Sequence, residues 1–316
     1  MAAWRHDIIY GQCCRRSAIL TNKGKKQYVL VVNLKSRQSA EAIDKVEELF
    51  MSRDVLLKVI KVKNPRRIKE AFEEALSANA DTIILGGGDG TLISGIEYLS
   101  LKDYQKPIGL LPLGTANYLA RNLDIPLDLD GSIENLLNGS TRLIPIGVAN
   151  DKFFALTFIV GLTQKVAAEV SDNLKRKFGQ LAYILELIKQ TRKHKAFRYT
   201  IESPDLKKPL KGLTHQIIVY NSDINLQLKL VPDHSLERTS LKVVVIKCGK
   251  SKFKLYVGFL VHILTAGKLK PYMKVFETQS LKITTDPVLA ADYDGEPYNH
   301  SPFNVELYKR KVHIIC

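Results

Sequence analysis

An apolar run, Thr82-Ile83-Ile84-Leu85, passes without a break into Gly86-Gly87-Gly88-Asp89-Gly90-Thr91, and few folds accommodate such a junction. A strand that ends in bare glycines presents unobstructed backbone N–H groups at the mouth of the helix predicted over Leu92–Leu99. That arrangement suits a phosphate chain. Side chains at these positions would hold phosphates away from the backbone, while Asp89 and Thr91 bring a carboxylate and a hydroxyl to the same place. Neither Gly-x-Gly-x-x-Gly nor Gly-Lys-Ser/Thr occurs here, so the loop suggests a nucleotide site of a different kind from the dinucleotide fingerprint and the Walker A loop.

The elements around this loop alternate. Tyr28–Asn33 reads as a buried strand, and Ser39 opens a helix with Ala40, Ile43, Val46, Leu49 and Phe50 on one face. Val55–Val62 is a second strand, and Asn64-Pro65 caps a second helix carrying Ile68, Ala71, Phe72, Ala75 and Leu76 at helical spacing. Ile108–Leu113 is a fourth strand, after the one that ends in glycine. Strands apolar on both faces, alternating with helices, predict an α/β domain: a parallel sheet covered by helices on both faces, with ligands at the carboxyl ends of its strands. Asp89 and Gly114-Thr115-Ala116-Asn117 fall at such ends.

Beyond Arg142 the pattern changes to strands without regular helices between them: Leu143–Val148, Phe153–Val160, Phe197–Glu202, Gln216–Asn221, Leu241–Ile246 and Val275–Thr285. A mainly antiparallel β-sandwich is expected there, interrupted by helices over Phe178–Thr191 and Phe253–Leu264. The division predicted is a basic tail over 1–25, an α/β domain over 26–141 and a β domain over 142–303.

At 316 residues and 45% apolar content the chain has enough material for two cores. No charged n-region followed by an apolar h-region opens it, which predicts a cytoplasmic protein. The apolar run from Leu255 to Ala266 is well short of the ~20 residues that a spanning helix needs. Cys13, Cys14, Cys248 and Cys316 have no metal-ligand or disulfide spacing. A formal charge of +15 predicts attraction to polyanions, either an anionic membrane surface or nucleic acid, and equally fits a plainly solvated basic surface. Nucleic acid is the weaker reading, because no recognition helix, zinc finger or aromatic RNP-type signature accompanies the charge.

Asp89-Gly90-Thr91 is followed by Leu111-Pro112-Leu113-Gly114-Thr115-Ala116-Asn117 and, much later, by Asp294-Gly295-Glu296. Taken singly, these are a glycine turn, a strand-to-helix turn and a hairpin turn. In this order and on these elements, from about Lys26 onward, they resemble the diacylglycerol kinase catalytic family, especially its soluble bacterial lipid kinases, which are similar to sphingosine and ceramide kinases. Gly161-Leu162, Gly179, Tyr183 and Val231-Pro232-Asp233 extend the likeness.

The resemblance implies an ATP- and Mg²⁺-dependent kinase acting on diacylglycerol or a related long-chain lipid, peripheral at the inner membrane face, with a homodimer among its forms. It implies ATP contacts from Asn33, Gly86, Gly87, Gly88, Asp89, Gly90, Thr91, Gly114, Thr115, Asn117 and Glu296, with Asp89 also toward the metal. Asp294 matches the family's general base and Glu296 its companion carboxylate. Return of the last strand, within 304–316, to the first domain is also implied.

Three departures stand out. Tyr118 replaces the Asp that usually follows Gly-Thr-x-Asn, and Ile93 and Ser94 replace the Asn and Glu after Asp-Gly-Thr-Leu. Behind Pro232-Asp233-His234, Glu237-Arg238-Thr239 stands in place of Asp-Asp-Gly, and Asp223-Ile224-Asn225-Leu226 replaces a glycine-rich stretch. An arginine where a ligand carboxylate is needed predicts loss of the family's structural Mg²⁺ site. Two other readings remain open: a lipid-binding protein that has lost catalysis on the same scaffold, and an NAD kinase, which shares Gly-Gly-Asp-Gly-Thr on a related sheet.

Overall fold

The computed structural model describes residues 26–34, 37–53, 55–161, 196–221, 240–247 and 273–316. The first part runs β1 (Gln27–Asn33), α1 (Arg37–Ser52), β2 (Leu56–Val62), α2 (Ile68–Ser77), β3 (Thr82–Gly87), α3 (Asp89–Leu101), β4 (Ile108–Pro112), α4 (Tyr118–Asn122), α5 (Leu129–Asn138) and β5 (Thr141–Ile144). The strands that follow are β6 (Gly147–Ala149), β7 (Lys152–Phe154), β8 (Thr157–Gly161), β9 (Phe197–Glu202), β10 (Leu210–Tyr220), β11 (Leu241–Lys247) and β12 (Met273–Thr278). The last are β13 (Ser280–Asp286), β14 (Ala290–Tyr293), β15 (Glu296–His300), β16 (Phe303–Leu307) and β17 (Val312–Ile315).

The first sheet has the order β2-β1-β3-β4-β17-β5. Every pairing in it is parallel except that of β5 with β17. It is therefore mixed rather than wholly parallel, and its one antiparallel partner is an edge strand. Alternation along β1 sends Val29 and Val31 to one core, with Phe72, Leu92, Leu99 and Leu119 of α2, α3 and α4. Tyr28, Leu30 and Val32 go to the opposite core, with Ile43 and Phe50 of α1 and Ile133 of α5. Helices thus cover both faces, which is why β1, β3 and β4 read as unbroken apolar runs. Edge strand β2 keeps Lys58 and Lys61 in solvent, paired with Glu74 and Glu47.

The second sheet is antiparallel throughout, in the order β15-β14-β8-β10-β9-β13-β16-β6-β7, with β11 and β12 branching from β10. β10 is long enough to serve both layers. Leu210–Thr214 pairs with β9, and after a register shift at Thr214/Gln216 the remainder runs between β8 and β11. Phe158, Val219 and Val243 from one layer meet Ile201, Ile283 and Phe303 from the other in a single core.

Several elements differ from those read in the sequence. The apolar stretch Leu143–Val148 is two strands on two sheets, broken at Pro145, whose missing N–H cannot join a ladder. Phe153–Val160 divides at Ala155-Leu156, because the amides there serve a side chain instead of a neighbouring strand. Val275–Thr285 turns at Gln279. The third helix starts at Asp89, so Asp89-Gly90-Thr91 is its first turn and not a loop before it. α5, which the sequence reading lacks, is capped by Asp128, whose carboxylate accepts from the Gly131 amide at 2.7 Å. Of the segment 304–316, β17 pairs in the first sheet, while Phe303–Leu307 stays in the second. The helices expected over Phe178–Thr191 and Phe253–Leu264, and the tail 1–25, lie outside the described residues.

Candidate active site

The chain leaves β1 for β2 on one side and continues through β3 to β4 on the other, so a crevice opens between the carboxyl ends of β1 and β3. Asn33 ends β1 and spans that crevice, its Nδ2 donating to Thr91 Oγ1 at 3.2 Å. Among the described residues the Asn33 Oδ1 is buried without a hydrogen-bond partner. Gly88 caps α3 with extended backbone. The amides of Asp89 and Gly90, at the start of the helix, have no intrahelical acceptor.

A second loop closes against the first. The Gly114 Cα is so near Gly88 that a Cβ on Gly114 would lie 2.5 Å from the Gly88 Cα and 2.8 Å from Asn117 Oδ1. Only glycine permits that approach. Asn117, left-handed at φ 49°, locks the loop: its Oδ1 accepts from the Gly114 amide at 3.0 Å and its Nδ2 donates to the Gly114 carbonyl at 2.9 Å. Asp89 ties the loops together, its Oδ1 accepting from the Leu119 amide in the first turn of α4 at 2.9 Å. Asp89 and Asn117 therefore hold the architecture of the site, and Thr115 stands exposed at the crest of the second loop.

Asp294 belongs to the other sheet, in the left-handed turn between β14 and β15. Its Oδ2 accepts from the Ala155 amide at 2.7 Å, and its Oδ1 from Leu156 at 2.9 Å and Thr157 at 2.7 Å. Asp292 Oδ1 accepts from the Gly295 amide at 2.7 Å and fixes the turn. Burial pushes the Asp294 carboxyl up to about 7, with a smaller push from the Asp292 charge, while the three amides pull the other way.

The two halves meet at Glu296. Its Oε1 is 3.5 Å from the position a Cβ would take on Gly90, and its Oε2 is 3.8 Å from Lys152 Nζ. The Asp294-Gly295-Glu296 turn thus lies against the first turn of α3, although Glu296 comes 206 positions after Gly90. Lys152 also sits 5.9 Å above the Tyr293 ring. Burial raises the Glu97 carboxyl on α3, an effect opposed by the Lys152 charge and by a hydrogen bond from the Phe153 backbone. The sequence reading omitted Glu97 and Lys152, which carry no motif.

The departures have local explanations. Ile93 packs against the first core, Ser94 is exposed, and Tyr118 begins α4 with its side chain 39% exposed. The segments 223–226 and 231–239, together with Leu162, Gly179 and Tyr183, lie outside the described residues. Among the described residues no group of three or more His, Cys, Asp or Glu is placed to hold a metal.

Residues 27–149 match the family model of the diacylglycerol kinase catalytic domain. The likeness to that family is confined there to less than half of the chain. Curated relatives extend the likeness beyond it. The diacylglycerol kinase of Staphylococcus haemolyticus is 26% identical over 247 residues, covering 77% of this chain and 73% of its own length. That of Staphylococcus epidermidis is 27% identical over 237 residues, covering 73% of each chain. A crystal structure of a diacylglycerol kinase from Bacillus anthracis superposes with a TM-score of 0.71 over 92% of this chain and 96% of its own, at 17% identity, a likeness of fold. The matched stretch supplies both glycine loops and every strand of the first sheet except β17, and the turn that faces them comes from outside it.

Proposed function

We propose that this protein is an ATP-dependent lipid kinase that transfers the γ-phosphoryl group to a hydroxyl of diacylglycerol or a related long-chain lipid, with the nucleotide on residues 26–141 and the lipid on 142–303. The observation that carries this reading is the approach of Glu296 to Gly90, which brings the Asp294-Gly295-Glu296 turn over the N-terminus of α3. Relatives that are lipid kinases support the class of reaction.

The residues present fit a nucleotide. Asn33 has an unpaired buried acceptor, the Asp89 and Gly90 amides point from a helix start, and Gly114 and Thr115 border the same crevice. Asp89 keeps one carboxylate oxygen beyond the one given to Leu119, enough for a Mg²⁺ that retains most of its waters. When bound, Mg-ATP supplies the phosphoryl group and neutralises part of its charge. Asp294 accepts the proton of the lipid hydroxyl at Oδ2, the oxygen that takes one amide and not two. A carboxyl with a pKa of about 7 is matched to that task at neutral pH. Lys152 and Glu296 set the charge at the mouth of the cleft.

A charge of +15 supports peripheral attachment to an anionic membrane face. No helix among the described residues is long and apolar enough to cross a membrane. Incubation with labelled ATP, Mg²⁺ and a panel of diacylglycerol, monoacylglycerol, sphingoid base, ceramide, phosphatidylglycerol and NAD tests the reading. A labelled lipid upholds it, labelled NADP converts it to NAD kinase, and vesicle binding with no labelled product makes the chain a binding protein on a kinase scaffold.

A further inference from the structure

Asn221 follows β10, two residues before the departure at Asp223-Ile224-Asn225-Leu226, and it touches the segment that holds Asp294. Its backbone N–H donates to the Leu156 carbonyl at 3.0 Å. Its Nδ2 donates to the Ala155 carbonyl at 2.9 Å and to the Pro145 carbonyl at 2.8 Å. The residue is only 4% exposed, and among the described residues its Oδ1 is buried with no partner. Reversing the amide would set Oδ1 against two carbonyl oxygens, so the two donations fix the orientation.

The strip Ala155-Leu156-Thr157 is thereby gripped from both sides. In the peptide joining Ala155 to Leu156, the carbonyl receives Asn221 Nδ2 and the amide donates to Asp294 Oδ1. In the next peptide, the carbonyl receives the Asn221 amide and the Thr157 N–H donates to the same Oδ1. Each peptide passes a hydrogen bond from Asn221 to the carboxylate, and hydrogen bonds in series polarise one another.

We propose that Asn221 is a positioning residue for phosphoryl transfer, which through the Ala155–Leu156 and Leu156–Thr157 peptides aims the Asp294 carboxylate and strengthens the amides that hold it as an anion. The proposal rests on the assignment of Asp294 as the base. Asn221 carries no charge, so its replacement by Ala leaves in place the Asp292 charge that acts on Asp294 and the pairing of Lys152 on β7 with Glu296 on β15.

The test compares the full chain with Asn221→Ala, Asn221→Asp and Asp294→Asn, using the lipid the panel identifies and counting kcat per nucleotide-binding site. Asn221→Ala is expected to lower kcat by about 100-fold, the scale of a misplaced reacting group, with KM for ATP unchanged. The acid limb of its kcat profile should also move to higher pH, since an anion with weaker donors binds its proton more tightly. A role limited to folding would lower the unfolding midpoint and leave that limb in place. Asn221→Asp keeps the shape and serves if the Ala variant does not fold. Its introduced carboxyl donates only while protonated, so kcat should gain an alkaline decline absent from the parent. Parent values of kcat and the parent acid limb in either folded variant, with Asp294→Asn inactive, overturn the proposal and leave the kinase reading intact. Full turnover by Asp294→Asn, or a panel that yields no labelled lipid, removes the base assignment and this inference with it.

Discussion

Asp294→Asn separates what the carboxyl does for the reaction from what it costs the fold. In the unfolded chain an aspartate titrates near 3.8, and in the folded protein burial raises it to about 7. A raised folded value means that the folded state holds the proton more tightly. The stability this group contributes is therefore complete below pH ~4 and is lost as pH climbs through ~7. About three pH units at 1.36 kcal/mol each give roughly 4 kcal/mol in all, and about 2.5 kcal/mol of that falls between pH 5 and 8. Other groups also titrate, so the quantity to measure is the difference in unfolding free energy between parent and variant. Urea unfolding at several pH values from 5 to 8 supplies it.

Asn removes the titration and also sets an NH₂ beside one or two of the three donors, either the Ala155 amide or the pair from Leu156 and Thr157. Relative to the parent, the variant should gain about 2.5 kcal/mol between pH 5 and pH 8, as the parent carboxyl loses its proton. Turnover should be lost throughout. A difference that stays flat across this range would mean that Asp294 is not a desolvated acid, and the reasoning about its proton affinity would fail.

Gly114→Ala would drive a Cβ to within 2.5 Å of the Gly88 backbone. A loss of about 1–3 kcal/mol is expected from overpacking, with a parallel drop in ATP affinity, measured by thermal unfolding and calorimetry. Asp89→Ala removes the acceptor of the Leu119 amide at the start of α4 and should lower stability by about 1 kcal/mol and weaken nucleotide binding, readable from the same two measurements. Sedimentation with anionic vesicles should fall steeply as salt rises from 0.05 to about 0.5 M, because each basic side chain near the surface contributes on the order of 1 kcal/mol that ions screen. Equal binding to neutral vesicles would refute the electrostatic attachment.

Much of the first domain can be read from the chain because its information is local. β1, β3 and β4 are apolar runs, and the glycines that follow β3 and β4 leave the loops no bulk to separate them. The crossing between sheets is not local. Leu143–Val148 looks uniform in hydrophobicity, yet Leu143 pairs with His313 and Val148 with Glu306, partners on different sheets. The break at Ala155-Leu156 is equally hidden, since the demand for free amides comes from Asp294, 138 residues further along at Leu156. The turn Asp294-Gly295-Glu296 is visible as a motif, but Asn221, which supports it from behind, is one ordinary polar residue after an apolar strand. Asp128 was a readable signal for α5, through the cap it offers to Gly131.

The placement of β17 governs how the molecule is assembled. Val312–Ile315 lies between β4 and β5, so residues 27–149 alone leave both those strands without their shared neighbour. A fragment cut at the edge of the matched family stretch would expose the flanks of Ile108 and Ile144 and should associate with other copies rather than fold. During synthesis the first sheet must wait for β17 before it closes, which couples the maturation of both sheets and makes formation of the whole slow and all-or-none.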